Sequence, residues 1–154
     1  MSQERILQPV DESLGYVLKK AATALRSAMD NALRPLDLTV PQYACLEVLR
    51  QKPGLSGSEL ARAVFVSRQA MNVVLKGLED RGLLSRPPAP THGKALPTEL
   101  TPAGRKRLLA ANEALAVVED RMHSAVAPKA RQRLCADLSS IAAALSGTPD
   151  PGAP

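Results

Sequence analysis

Apolar positions along the chain recur every three or four residues in six stretches, and one stretch breaks the rhythm. From Asp11 to Arg34 the apolar residues are Leu14, Val17, Leu18, Ala21, Leu25, Ala28, Met29 and Ala32, which predicts a long amphipathic helix ending near Pro35. After a turn at Leu36-Asp37-Leu38, Thr39 and Gln42 have the spacing of a capping box, and Pro41 stands in the first turn, where its missing N–H costs little. That helix carries Tyr43, Leu46, Val48 and Leu49 and should end at Lys52-Pro53-Gly54. Ser56 and Glu59 repeat the box, with Glu59 expected to reach back to the Ser56 amide and Leu55 stapled to Leu60. Leu60, Ala61 and Val64 form the apolar face of this short helix. Phe65-Val66 makes a corner, Ser67 is an N-cap, and Met71, Val74, Leu75 and Leu78 must face inward in the next helix, which Gly82 stops.

Leu83 to Leu100 is proline-rich and has no helical period. Leu83-Leu84 and Leu96 to Leu100 read as two short strands around a Pro- and Gly-containing loop. Pro97 cannot donate to a ladder, so an edge hairpin is expected. Thr101-Pro102 then opens a long helix with Leu108, Ala111, Leu115, Val118, Met122 and Val126 on its apolar side. Pro128 restarts the chain in a last helix carrying Leu134, Leu138, Ile141 and Leu145. The expected fold is mainly α with a small β-hairpin wing, a winged helix-turn-helix flanked by long dimerisation helices. Its parts are an N-terminal dimerisation helix (11–36), a winged helix-turn-helix DNA-binding unit (37–104) and C-terminal dimerisation helices (105–146), with flexible ends at 1–10 and 147–154.

A short helix, a corner, and a helix with polar residues on its outward turns is the helix-turn-helix pattern. Arg68, Gln69, Asn72, Val73 and Lys76 are left on the outer face of the second helix. Gln and Asn suit bidentate contacts with adenine, Arg suits guanine or a phosphate, and Lys a phosphate. They lie near the N-terminus, the end that a recognition helix presents to bases. A hairpin directly after such a helix is a wing, here with Arg86 at its base and His92 and Lys94 at its tip.

Charge strengthens this picture. The formal net charge is +5, and residues 67–107 hold eight basic and three acidic residues, so the whole excess sits on the second helix and the segment after it. That is the footprint of a polyanion partner, double-stranded DNA above all. Aromatic residues are limited to Tyr16, Tyr43 and Phe65, so the core must be built from Leu, Val and Ala, helix on helix.

Other chemistry finds little support. Cys45 and Cys135 lie far apart without metal-type spacing, which fits a reducing compartment. The opening MSQERILQPV lacks a basic segment followed by an apolar one, so no signal peptide is expected, and no apolar run approaches membrane-spanning length. A cytoplasmic protein without a membrane partner is expected. His92 and His123 have no second ligand at metal spacing, and no Ser/His/Asp set converges in sequence, so no metal, cofactor or enzymatic activity is expected. The terminal helices pose a different question, because the small central unit cannot cover all three apolar stripes. Burial against a second copy solves it, making a homodimer through Leu14, Leu18, Leu115, Met122, Leu134, Leu138, Ile141 and Leu145. A dimer suits a two-fold DNA site.

The order of these elements, together with LTVPQYACLEVL (38–49), SGSELARAVFVSRQAMNVVLKGLEDRGLL (56–84) and LTPAGRKRL (100–108), resembles the MarR family of bacterial winged-helix regulators. The likeness spans roughly residues 11–146. It implies a homodimeric repressor of a palindromic operator, released by a small aromatic or anionic ligand held between the dimer helices and the DNA-binding unit. Tyr16, Arg26 and Tyr43 are the pocket candidates it implies, and Ser67 joins the outward residues as a DNA contact. Two departures stand out. The family's wing commonly carries an Asp-Pro-x-Asp-x-Arg-like run, whereas residues 89–94 here read APTHGK, with no acid and with His92 or Lys94 where an arginine is usual. Val73 occupies a position that is often basic. Two further readings remain open: a winged-helix protein-interaction module, and a thiol-based redox regulator using Cys45 or Cys135.

Overall fold

The computed structural model describes residues 9–86 and 98–147. The chain divides into two compact units, Met1–Ala116 and Val117–Pro154. The first holds α1 (Leu14–Leu33), α2 (Val40–Gln51), α3 (Gly57–Val64), α4 (Arg68–Asp80), the strands β1 (Leu84–Ser85) and β2 (Glu99–Leu100), and the start of α5 (Pro102–Ala125). The end of α5 and all of α6 (Pro128–Ser146) belong to the second.

Side-chain caps set the helix starts. α1 begins at Leu14 and not at Asp11, because Ser13 takes the N-cap and its Oγ accepts the Tyr16 N–H at 3.2 Å. Residues Val10–Glu12 form a separate 3-10 turn. Thr39 and Gln42 complete the expected capping box of α2. At α3 only half of the expected box forms. Ser56 Oγ accepts the Glu59 N–H at 3.2 Å, but the Glu59 carboxylate takes the Ser56 hydroxyl proton at 2.9 Å instead of the Ser56 amide. The hydroxyl lies on the same side as the carboxylate and serves it equally well.

α4 ends as its glycine predicts. The Gly82 N–H donates to Glu79 C=O and the Leu83 N–H to Leu78 C=O, both at 2.9 Å, with Gly82 at φ +72°. This is a Schellman closure, and its residue in the left-handed region is the glycine. It also draws Leu83 out of the expected strand. The hairpin is shorter than the apolar pattern implied, pairing only Leu84 with Leu100 and Ser85 with Glu99 in antiparallel register. Leu96 and Pro97 lie outside the described residues.

The start of α5 is stitched to this closure. Thr101 N–H donates to Leu83 C=O at 3.2 Å, and Thr101 Oγ1 donates to Gly82 C=O at 2.6 Å while accepting the Gly104 N–H at 3.0 Å. The helix approaches so closely that a Cβ on Gly104 would stand 2.1 Å from the Leu83 carbonyl oxygen. Gly104 is therefore a packing requirement.

The core of the first unit is Leu33, Leu46, Leu49, Leu60, Met71, Leu75, Leu78, Leu84, Leu100 and Leu108, with Cys45 and Ala111 between them. No aromatic residue is among its fully buried side chains, as the composition requires. Leu115, expected at a dimer interface, packs against this core of its own chain. In the second unit Arg131 caps the end of α5, donating to His123 C=O at 2.8 Å and to Val126 C=O at 3.2 Å. No residue of α6 is buried, and Leu134, Leu138 and Leu145 are 42%, 40% and 80% exposed.

Candidate nucleic-acid interface

α4 is amphipathic in the way the sequence predicts. Met71, Leu75 and Leu78 are buried, while Ser67, Arg68, Gln69, Asn72, Val73 and Lys76 are exposed. Ser67 fixes the start of the helix, its Oγ accepting the Ala70 N–H at 3.0 Å. The side chains of Arg68, Gln69 and Asn72 make no hydrogen bond or ion pair among the described residues. Lys76 lies 3.8 Å from Asp80 in an exposed pair, which water screens and a stronger anion would displace. The face thus presents donors and acceptors that no other described residue satisfies.

Two further basic residues are engaged within the protein. Arg81 pairs with Asp37 at 3.4 Å, and the half-buried Arg107 donates through Nη1 to Leu36 C=O. These two arginines hold the end of α1 against its neighbours. Arg68, Arg86, Arg105 and Lys106 are exposed, with Arg86 directly after β1 at the base of the wing. His92 and Lys94 lie outside the described residues.

The three pocket candidates have different surroundings. Tyr16 lines a shallow groove of about 390 Å³ on α1 with Lys19, Thr23 and Ser27. Arg26 lines a second groove of about 480 Å³ with Asp30, Asn31 and Arg34, and is paired with Asp30 at 3.4 Å. Tyr43 instead donates its hydroxyl to Asn112 Oδ1 at 2.7 Å, which ties α2 to α5. The family likeness named Tyr16, Arg26 and Tyr43 by their place along the chain, which carries no information on which of them share a cavity.

Two features escaped the sequence. One is the polar network around Glu47, whose carboxylate accepts from Arg50 at 2.7 and 3.1 Å, from Gln51 at 2.8 Å and from Asn112 at 3.4 Å. The Arg50 hydrogen bonds are the main reason that its pKa is held down at about 2. Arg50 and Gln51 stand three and four residues after Glu47, the spacing of helical neighbours, and that was a legible signal. The link to Asn112, 65 residues away, was not. The other is Phe65, 94% exposed at the corner between α3 and α4.

Cys45 is fully buried, and burial pushes its thiol up to about 12 against the pull of the Arg86 charge. A buried thiol held up in this way has little thiolate character, which favours a packing role for Cys45 over a redox switch. Cys135 is free and exposed on α6, not enclosed in its own chain.

Comparison with known proteins decides the family. Residues 36–95 match the MarR family model, a span running from the end of the 3-10 turn Arg34–Leu36 that follows α1 through α2, α3, α4 and β1. The HTH-type transcriptional repressor Rv2887 of Mycobacterium tuberculosis is 48% identical over 95 residues, which are 62% of this chain and 68% of the relative. The chain belongs to the MarR family. Solved MarR structures agree along most of the chain. The M. tuberculosis MarR family protein Rv2887 in complex with DNA superposes with a TM-score of 0.70 at 37% identity, covering 85% of this chain and 98% of that one. The transcriptional repressor CouR bound to a 23-mer DNA duplex gives a TM-score of 0.78 at 30% identity, covering 86% and 94%. Rv2887 has also been solved with salicylic acid, and CouR with p-coumaroyl-CoA. The MarR fold expected from the sequence, mainly α with a small hairpin, is the fold observed. No helix among the described residues is long and apolar enough to cross a membrane.

Proposed function

We propose that this MarR-family chain is a DNA-binding transcriptional repressor, acting in the cytoplasm as a homodimer on a palindromic operator and released by a small aromatic or anionic ligand. The observation that carries the reading is the outward face of α4. Arg68, Gln69 and Asn72 stand exposed on the first two turns, without a partner among the described residues, on a helix whose opposite face is locked into the core. A rigid helix with free base-reading side chains near its N-terminus fits the major groove. Ser67 and Lys76 would hold phosphates, and Val73 would meet a thymine methyl. Arg86, His92 and Lys94 would extend the contact from the wing.

In this reading residues 37–104 are the DNA-binding unit, 11–36 and 105–146 the dimerisation helices. The exposure of Leu14, Met122, Leu134, Leu138 and Leu145 supports a partner surface on them, with the partly exposed Leu18 and Ile141 alongside. Relatives solved with salicylic acid and p-coumaroyl-CoA support a ligand that is an aromatic acid or its thioester. A repressor of this kind performs no chemistry on its ligand.

The test is binding of the purified protein to the DNA upstream of its own gene, followed by fluorescence anisotropy over a range of salt. Each neutralised phosphate contributes about −0.9 to the slope of log K against log salt, so a slope of several negative units is expected. Absence of any salt-dependent binding to that DNA overturns the reading.

A further inference from the structure

Among the described residues two non-glycine residues have positive φ, Asp37 at 55° and Phe65 at 62°. Each closes a helix in the Schellman manner. After α3, the Phe65 N–H donates to Arg62 C=O at 3.4 Å and the Val66 N–H to Ala61 C=O at 3.0 Å. Asp37 has a local reason for its conformation, since aspartate tolerates the left-handed region and its carboxylate meets Arg81 at 3.4 Å. Phe65 has none. Its Cβ makes the left-handed region unfavourable, and glycine is the residue this position ordinarily takes. The ring is 94% exposed, so burial returns nothing to offset the strain. A bulky apolar residue that is unfavourable both in its backbone and in water is not there for stability.

Position supplies the reason. Phe65 precedes the N-cap Ser67 by two residues and Arg68 by three. Two trans peptide units span at most about 7.6 Å between Cα atoms, so Phe65 stands close to the first turn of α4. We propose that Phe65 is a DNA-contacting residue, laying its ring on the apolar sugar edge or a thymine methyl beside the bases that α4 reads. The inference rests on the proposed DNA-binding function and adds to it a contact that carries no charge. It also explains why the corner holds a phenylalanine and not a glycine. The closure needs only a left-handed residue, and the side chain is chosen for its partner.

The experiment compares wild type, Phe65→Gly, Phe65→Tyr and Lys76→Ala. Chemical denaturation should show Phe65→Gly to be at least as stable as wild type, because the strain is relieved. Its operator affinity should nevertheless fall by about 3–12-fold, the size expected when roughly half of a phenylalanine side chain returns to water. The slope of log K against log salt should stay at the wild-type value, whereas Lys76→Ala, which loses a phosphate contact, should flatten it by about one unit. Phe65→Tyr keeps the ring and should retain most of the affinity. Unchanged affinity in a stable Phe65→Gly protein overturns the proposal, as does a loss accompanied by altered oligomeric state. Failure of the wild type itself to bind DNA is a different result and overturns the function, which separates the two.

Discussion

At the scale of single residues, two groups are displaced in opposite directions, one by burial and the other by hydrogen bonds. Cys45 sits among Leu46, Leu49 and Leu75 in the core, and its thiol is raised to about 12 chiefly by desolvation. Native protein at pH 8 should therefore expose only Cys135 to an aromatic disulfide reagent, and both thiols only after unfolding in guanidinium. Two reactive thiols in the native state would contradict the burial of Cys45. Glu47 is displaced the other way. Its carboxyl is held near 2, below the usual 4.5, mainly by the Arg50 hydrogen bonds. A depressed folded value contributes stability above pH 4.5 that is lost as pH falls toward 2. Glu47→Gln should thus show a shallower loss of stability between those limits, measured by urea titration at successive pH values. An unaltered acid limb would mean that the Glu47 carboxylate gains nothing from its partners.

At the scale of elements, the corner from α4 into β1 and the start of α5 carries the clearest prediction. A Cβ on Gly104 would overlap the Leu83 carbonyl oxygen, a backbone atom already held by the Thr101 N–H. Gly104→Ala should cost about 1–3 kcal/mol or more, since neither partner is a flexible side-chain end. Denaturation midpoints would show it, and a midpoint equal to wild type would mean that the two segments can separate freely. The same corner shows what the sequence can and cannot reveal. Helix identities and inward faces were legible, because Met71, Leu75 and Leu78 obey the 3.6 period and Ser67 and Gly82 mark the ends. The two-residue strands were not, because Leu83 belongs to the apolar run but spends its N–H on the helix closure. The start of α1 was misjudged because Asp11, Glu12 and Ser13 are all plausible first-turn residues, and only the geometry selects Ser13. Tertiary pairings such as Tyr43 with Asn112 leave no local periodicity, so the expected pocket of Tyr16, Arg26 and Tyr43 could not be tested along the chain alone.

At the scale of the whole molecule, the account depends on two copies acting together. Leu138 is 40% exposed on α6, a helix with no buried residue, and a second copy would cover it. Leu138→Ala should weaken the dimer by up to about 2–5 kcal/mol for each site that the interface fully buries. Light scattering across a dilution series would reveal this as a shift toward monomer, with circular dichroism confirming folded helices. A dimer of unchanged strength would place the interface elsewhere. Two half-sites about 34–36 Å apart must be filled at once, so loss of the dimer should reduce affinity for the full operator much more than for a half-site. The central claim is that α4 reads bases, and the most direct measurement is the ratio of operator affinity to non-specific affinity in Gln69→Ala and Asn72→Ala. Loss of a bidentate base contact removes about 1–3 kcal/mol of discrimination. The account predicts that this ratio falls by about tenfold or more in at least one variant while the salt slope stays at the wild-type value. Wild-type ratios in both variants would contradict it.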